Sequence, residues 1–562
     1  MQTSPLEQGV ALLGAGRFHE ALQQFSIALR QHPLAVEPRV GLAQASHGMG
    51  DGWSQTAWLS DACRVAPRRA DLWMELGRAL VAQKREPELE PMLLAALSLH
   101  RDDVPLLNLQ AELYLRNKLH AQALPAYARL YALGTRDRAA VLHYGYCLEH
   151  TGQVEQAVER YREAIELHPD FLEAHVDLAG VLWRLEDFEG ALAHARKAIE
   201  LGPRHPYALR ILGTALLNLN RVREAEEQLR RSLELMPGFS LAEVDLAFTL
   251  LLGGRMEEGW SFYARRWRDA DRMKRPAFFR PELEWKGPRE QPVRGKGIAV
   301  YAEQGLGDVI QFMRLAPLLH QAGAAVHAII QPELVPLVEH SMPDVRCLTR
   351  DREARVDYHV ALLDLPMHFG STLESTTSQA PYLMAPREKV DAWRAKLAPW
   401  AGKFRVGIAW SGSRAQVNNN NRAMRLSQLL PLLEMEGVQG FSLQAGDAGP
   451  FTDVAVAPQR LVDLTGDWHD FTDSAAMLAN LDLVITVDTA VAHLAGAMGL
   501  PVWVMLAPNA DWRWLLDRED SPWYPSMRLF RRAHGETRTA QVSRVREALD
   551  GVLQSRTAGT GA

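Results

Sequence analysis

Cysteine is nearly absent. Cys63, Cys147 and Cys347 are the only three in 562 residues, and they stand far apart. Neither a disulfide framework nor a cysteine metal cluster can be built from them, which leaves buried thiols in a reducing compartment. Long apolar runs are missing too. No stretch reaches the ~18 residues that a bilayer span needs. Met1 to Leu13 carries Glu7 and no basic segment, so it does not read as a secretory signal. We expect a cytoplasmic protein with no membrane span. Nor is there an excess of positive charge: 62 Lys+Arg face 68 Asp+Glu, a formal charge of −6. Nucleic acid or anionic lipid would not be gathered by net charge, and no nucleic-acid partner is expected. What is present is ordinary globular composition, 47% hydrophobic and 23% charged, at a length that calls for about two to four domains.

The first half repeats. Pro33, Pro67, Pro169, Pro203 and Pro237 share one frame of period 34. In that frame Ala21, Ala123, Ala157, Ala191 and Ala225 form one column. Gly9, Gly77, Gly145 and Gly213 form another. Ala28, Ala62, Ala96, Ala164 and Ala198 form a third, and Phe25, Tyr127 and Tyr161 a fourth. Small residues at these spacings let two helices approach, and proline closes the second. The pattern resembles the tetratricopeptide repeat. It implies an α-solenoid over residues 1–268, about seven hairpins plus a degenerate capping unit from Ser240 to Trp267. The groove of such a solenoid suits a protein partner.

Residues 269–294 break the period. Pro276, Pro281 and Pro288 mark a linker, and Arg265, Arg266, Arg268, Arg272, Lys274, Arg275 and Arg280 make its surroundings basic. Solvated charge is the expectation there, including for Asp269 and Asp271, the one Asp-X-Asp pair considered as a metal site. No metal or other cofactor is expected.

Beyond Gly295, apolar runs alternate with helical spacing. Gly297–Tyr301, Ala325–Gln331 and Tyr358–Leu363 read as strands of one parallel sheet. Phe404–Ala409, Gly440–Gln444, Leu483–Val487 and Val502–Leu506 read as strands of a second. The expected architecture is two Rossmann-like lobes, 295–395 and 396–556, with a disordered tail at 557–562. Ligands of such sheets bind outside the carboxyl ends of the strands, so the chemistry should lie in the loops there.

Three of those loops carry candidate residues. The first reads Glu303-Gln304-Gly305-Leu306-Gly307-Asp308. Its glycines permit positive φ and a close backbone approach, and Asp308 falls in the first turn of the next helix. Asp308 is either a catalytic carboxylate or one that satisfies the helix N–H groups. The second loop holds Ser411 and Gly412, then Asn418 to Asn421, Arg422 and Arg425. Small residues beside guanidinium groups suit a phosphate, and a flexible polar loop is the plainer reading. The third holds Asp488, Thr489 and His493, with Asp488 and Thr489 expected to cap a helix and Thr489 and His493 to share one of its faces. Gln444 ends a strand beside these loops.

Taken in order, EQGLGDVIQFMRLAPLL, VGIAWSGS with NNRAMRL, DLVITVDTAVAHLAGAMGLPVWVML and DWRWLLDREDSPWYPSMRLFR resemble GT-B glycosyltransferases related to the heptosyltransferase family. They are similar in particular to bacterial proteins that join tetratricopeptide repeats to such a domain, some of which glycosylate flagellin with nonulosonic acids. The resemblance implies Asp308 as general base, with Gln304, Gly305 and Gly307 in the acceptor loop. It also implies Ser411, Gly412, Arg422, Arg425, Gln444, Asp488, Thr489 and His493 as contacts to a nucleotide sugar, such as a CMP-nonulosonic acid or an ADP-heptose-like donor. The implied activity is metal-independent transfer to Ser or Thr of a protein held in the repeat groove, flagellin or a flagellin chaperone. One departure stands out: relatives carry an acidic residue and Arg-Ser where this chain has Asn420 to Ala423. A non-enzymatic adaptor with a degenerate second half, or an enzyme acting on a lipid-linked saccharide, are the alternatives. Trp503, Trp512, Trp514 and Trp523 read as core, with Asp511 to Trp514 close enough to a strand end to edge the cleft.

Overall fold

A computed structural model describes residues 3–268, 273–348, 356–377, 380–413, 419–446 and 448–559, with backbone alone at 376–377 and 557–559. Asp269, Asp271, Arg272, Arg414, Asn418 and the last three residues of the expected tail lie outside the described residues. The chain divides into two compact units. One is Met1–Leu185 with Glu200–Gly202, and the other is Glu186–Ile199 with Pro203–Ala562.

Sixteen helices run through the repeat region among the described residues: Pro5–Gly14, Phe18–Gln31, Glu37–Gly48, Gly52–Val65, Ala70–Ala82, Glu86–Leu99, Val104–Arg116, His120–Ala132, Arg138–His150, Val154–Leu167 and Leu172–Arg184, then Phe188–Leu201, Pro206–Asn218, Val222–Leu235, Ser240–Leu252 and Met256–Tyr263. Their starts are chemically marked. Ser4 and Glu7 form a reciprocal capping box, and Asp103 and Asp137 accept the N–H groups of Leu106 and Ala140 at 3.0 Å. The alanine column of the 34-residue frame is fully buried. Each alanine sits where a larger side chain would force neighbouring helices apart. Cys63 and Cys147 are buried within these helices, and burial pushes both thiols up to about 12, as expected of inert core residues.

Ten strands follow among the described residues: β1 (Gly297–Tyr301), β2 (Ala325–Ile329), β3 (Val345–Cys347), β4 (Tyr358–Ala361), β5 (Phe404–Ala409), β6 (Val438–Ser442), β7 (Leu461–Asp463), β8 (Leu483–Val487), β9 (Val502–Leu506) and β10 (Met527–Arg531). The first four form a parallel sheet in the order β3-β2-β1-β4, and the others a parallel sheet in the order β10-β9-β8-β5-β6-β7. Counted from β5, the second is the doubly wound order 3-2-1-4-5-6. β3, β7 and β10 had no counterpart in the sequence reading. All three are edge strands, and two of them are only three residues long. An edge strand is covered less completely and leaves no continuous apolar run to detect.

Several boundaries differ from expectation. The helix after β1 starts at Leu306, with Asp308 in its first turn, and it breaks into a 3₁₀ turn at Met313–Leu315 before Ala316–Gln321. The final helix, Arg538–Gly559, runs into the stretch expected as a disordered tail, because no proline or glycine pair interrupts it before Gly559. Residues 273–294 are no solvated linker. Trp285 is fully buried, its backbone N–H donates to His359 O at 2.9 Å, and Val293 is in the core. The basic residues around it are matched by carboxylates: Arg265 and Arg268 on Glu243, Arg266 on Glu303 and Asp364, and Arg275 on Glu284.

The capping repeat shares its core with the sheets. Trp260, fully buried, meets Phe312 edge-on at 5.6 Å and Trp512 at 5.2 Å between ring centroids. The Asn218 carboxamide accepts from Asn509 Nδ2 at 3.0 Å, and Asn220 Nδ2 donates to Pro508 O at 2.8 Å. The packing boundary therefore does not fall at residue 268. Trp260→Ala should lower unfolding free energy by about 3–5 kcal/mol, read as an earlier urea transition by circular dichroism. A loss below about 1 kcal/mol would contradict the shared core.

Candidate functional site

Each sheet has one place where the chain reverses its direction of winding, between β1 and β4 in the first and between β5 and β8 in the second. Crevices at the carboxyl ends of such strand pairs are the natural ligand sites. The loops after β1, β5 and β8 carry the predicted residues, so three of the motifs fall at the two switch points.

Asp308 lies in the first turn of the Leu306–Phe312 helix. Its Oδ2 accepts the Gly305 N–H at 2.9 Å, the acidic half of a capping box. Its Oδ1 pairs with Arg513 Nη2. The side chain is 19% exposed. Burial pushes the carboxyl up, Arg513 opposes that, and Asp511 adds to it. The hydrogen bonds show Asp308 satisfying the helix start, and the same carboxylate faces the other lobe through Arg513.

Arg513 was not singled out from the sequence. It follows β9, is buried, and donates to Gln311 Oε1 at 2.7 Å and Asp511 Oδ1 at 2.8 Å besides Asp308. Its carbonyl accepts Trp523 Nε1–H at 2.7 Å. A guanidinium stays charged under all ordinary conditions, so its burial demands these acceptors. The sequence signal was the Asp-Trp-Arg-Trp run after a strand end, which located the segment at the cleft without marking the arginine.

The glycines of the first loop serve differently from expectation. Gly305 has φ of −69°, and neither it nor Gly307 is in the left-handed region. What matters is proximity: a Cβ at position 307 would stand 2.9 Å from His493 Cδ2. Gln304 is engaged on the other side, donating through Nε2 to the Tyr263 hydroxyl of the capping repeat.

His493 lies on the Ala490–Ala497 helix, buried, with Nδ1 2.9 Å from the Tyr524 hydroxyl and the ring stacked on Trp514 at 5.3 Å. Nε2 faces Asp488 Oδ1 at 4.0 Å. Burial holds the imidazole well below its ordinary range, and Arg513, Arg314 and Arg422 push the same way. Asp488 is moved up by burial against the pull of Arg422. Thr489 occupies the N-cap position, but its hydroxyl meets Thr486 Oγ1 at 3.0 Å and caps nothing. The N–H groups that open this helix are therefore not taken by that side chain.

At the end of β5, Gln444 Oε1 accepts the backbone N–H of Ser411 at 3.0 Å and of Trp410 at 3.3 Å. Gln444 thus shapes the loop. β6 ends at Ser442, two residues before it, where the expected strand had run on to Gln444. Gly412 lies against the Arg422 guanidinium, with no room for a Cβ, and its N–H donates to Asn419 Oδ1 at 3.1 Å. Arg425 is exposed, with Asp453 and Arg538 as charged neighbours, and does not join the group. The asparagine run is no loose loop among its described residues. Asn419 to Arg422 is a helical turn, and Asn421 bridges to Asn509, which reaches Asn218. Arg538 caps the carbonyls of Asn420 and Asn421 at 3.0 and 3.2 Å.

Asp308, Gly307, Asp488 and His493 therefore converge across the two sheets, with Arg422 near Asp488 and Gly412 packed on Arg422. An unfolded histidine titrates near about 6.5 and the folded His493 well below that. The stability it contributes is complete above about pH 6.5 and is lost as pH falls from there toward the folded value. His493→Gln should therefore flatten the fall of unfolding free energy between pH 6.5 and 5, by up to about 1.4 kcal/mol per pH unit. Identical slopes in urea titrations of the two proteins would contradict a buried neutral imidazole.

The tetratricopeptide repeat family model matches residues 6–50, 108–171, 151–206 and 176–238. Protein FlbA of Caulobacter vibrioides is 28% identical over 533 residues, 88% of this chain and 82% of that protein. Two human proteins match over shorter spans. Tetratricopeptide repeat protein 13 is 26% identical over 30% of this chain and 20% of its own length. Protein O-mannosyl-transferase TMTC1 is 22% identical over 39% of this chain and 26% of its own length. Among solved structures, YrrB, described as a TPR protein with an unusual peptide-binding site, is 17% identical, covering 33% of this chain and 95% of that one, with a TM-score of 0.30. A tetratricopeptide repeat protein from Parabacteroides merdae is 16% identical over 42% of this chain and 92% of its own, with a TM-score of 0.34. No helix among the described residues is long and apolar enough to cross a membrane.

Proposed function

We propose that this chain is a GT-B glycosyltransferase that moves a sugar from a nucleotide-sugar donor to a Ser or Thr hydroxyl of a protein held by its repeats. One observation carries the reading. Asp308, from the switch point of one parallel sheet, converges on Asp488, His493 and the start of the Ala490–Ala497 helix, from the switch point of the other. A reaction that joins two substrates needs each bound at its own crevice and both presented to one carboxylate.

The roles follow from the chemistry. The donor diphosphate or monophosphate takes the second sheet, where the helix N–H groups, Gly412 and Arg422 offer donors to an anion. Arg422 supplies the positive charge that the leaving phosphate needs in the transition state. Arg425, exposed, is dropped from that set. Asp308 accepts the hydroxyl proton as the C–O bond forms. Its Oδ1 is held by Arg513, so Arg513 moderates the base and shares it with the incoming hydroxyl. No metal is invoked. Flagellin modified with a nonulosonic acid is the acceptor and sugar we favour, on the sequence resemblance alone. The O-mannosyl-transferase match spans 26% of that protein and lends no more than a parallel.

The second reading is an adaptor that binds a partner through its repeats and catalyses nothing. It is favoured by the engagement of both Asp308 oxygens, one by Gly305 N–H and one by Arg513. Asp308→Asn separates the two. A transferase should lose about 10²–10⁴-fold in turnover and keep its partner, whereas an adaptor should be indifferent. Intact mass spectrometry of secreted proteins, with and without this chain, supplies the readout, and the mass increment identifies the sugar. Removing Met1–Leu185 should abolish modification of the protein acceptor while donor hydrolysis persists. Loss of both activities would contradict separate recruitment and chemistry.

A further inference from the structure

Beside the switch point of the first sheet, a buried arginine is held between two carboxylates. Glu303 follows β1 and Asp364 follows β4, so the two carboxylates flank the crevice between those strands. Between them sits Arg266, from the 3₁₀ turn Ala264–Arg268 that ends the last helical hairpin. Its Nε donates to Glu303 Oε1 at 3.0 Å and its Nη1 to Asp364 Oδ1 at 2.6 Å. Trp267 Nε1 donates to the other Asp364 oxygen at 3.1 Å. The Arg266 and Glu303 side chains are 3% and 4% exposed. Three residues earlier on the same hairpin, Tyr263 is also buried, and its hydroxyl accepts from Gln304. Two consecutive residues of the loop that leads to Asp308 are thus held by side chains from the repeat region.

We infer that Arg266 and Tyr263 are positioning residues for the Glu303–Asp308 loop, so that the repeat region supplies part of the frame of the site as well as a surface for a partner. The other restraints on Glu303 and Gln304 are weaker. Glu303 Oε2 has no hydrogen-bond partner among the described residues, so the loop is not over-determined from its own side. Gln331 Nε2 donates to Gln304 O at 2.7 Å, which anchors the backbone of that residue but not its side chain. The Gly305 N–H to Asp308 bond is internal to the loop, and Arg513 holds only its far end, at Asp308. Arg266 is suited to this task as lysine would not be. A planar fork reaches two carboxylates at fixed angles, whereas an ammonium serves one well and leaves the other unpaired.

The test uses the full chain. Arg266→Lys keeps a cation but breaks the fork, and Tyr263→Phe removes only one hydroxyl. Hydrogen–deuterium exchange should show amides 303–308 exchanging at least tenfold faster in Arg266→Lys and about threefold faster in Tyr263→Phe. The Ala490–Ala497 helix should be unchanged in both. If Arg266→Lys does not fold, Tyr263→Phe alone decides. Unchanged exchange over 303–308 in every variant that folds overturns the inference, as does loosening that extends equally to the Ala490–Ala497 helix. A second readout rests on the proposed glycosyl transfer: with flagellin as acceptor, kcat should fall at least tenfold while KM for the nucleotide sugar stays within twofold. A parallel rise in that KM would overturn the positioning role. If the unaltered protein modifies nothing, the transferase reading fails by itself, and the exchange result still decides the role of Arg266.

Discussion

A buried guanidinium that cannot shed its charge organises the second compact unit. Arg513 must be met by acceptors wherever it is placed, because an unpaired charge in the interior costs several kcal/mol. It finds them in Asp308 and Gln311 from the first lobe and Asp511 beside it. That demand ties the start of the Leu306–Phe312 helix to the loop after β9 and brings Gly307 against His493. The same positive charge opposes the rise that burial imposes on Asp308, and it adds to the forces that keep His493 neutral. Around it the tryptophans of the last third complete the packing: Trp523 on the Arg513 carbonyl, Trp514 on His493, Trp512 on Trp260. Their core role and their place at the cleft are one fact.

A similar device operates on the other face of the first lobe, where Arg266 joins Glu303 and Asp364. In both cases one arginine satisfies acids from segments distant in sequence. The two differ in origin, since Arg513 comes from the sheet region and Arg266 from the end of the repeats. This is why the period of the sequence and the compact units disagree. A solenoid repeat ordinarily touches only its neighbours, so the sequence period marks a boundary at residue 268. The last repeats have other neighbours, including Asn509, Pro508 and Trp512, and they fold with the sheets. The residues between 273 and 294 follow suit, with Trp285 buried where the prolines had suggested a solvated linker.

The asparagine run has a structural use of its own. As sequence, Asn420 to Ala423 looks like a lost phosphate contact. In the fold, Asn421 meets Asn509, and Asn509 meets Asn218. A buried amide can both donate and accept, so a chain of three links the loop after β5 to the repeat region. An acidic residue at position 421 would offer no N–H to Asn509 and would break that chain.

By itself the sequence determined the helical hairpins, seven of the strands and their order. The 34-residue period marked the hairpins, because close helix contacts admit only small residues at fixed intervals. The continuous apolar runs marked β1, β5, β8 and β9, because a strand buried on both faces must be apolar throughout. The topology rule for parallel sheets then placed Asp308, Ser411 and Asp488 at strand ends before any contact was known. Only the tertiary structure decided partners and boundaries. Edge strands β3, β7 and β10, the capture of Asp308 by Arg513, the exposure of Arg425, the use of Gln444 to hold a backbone turn, and the insertion of Arg266 all depend on groups far apart in the chain. Local pattern records the environment a residue needs. Which distant residue supplies it is settled only when the lobes and the last repeats pack together.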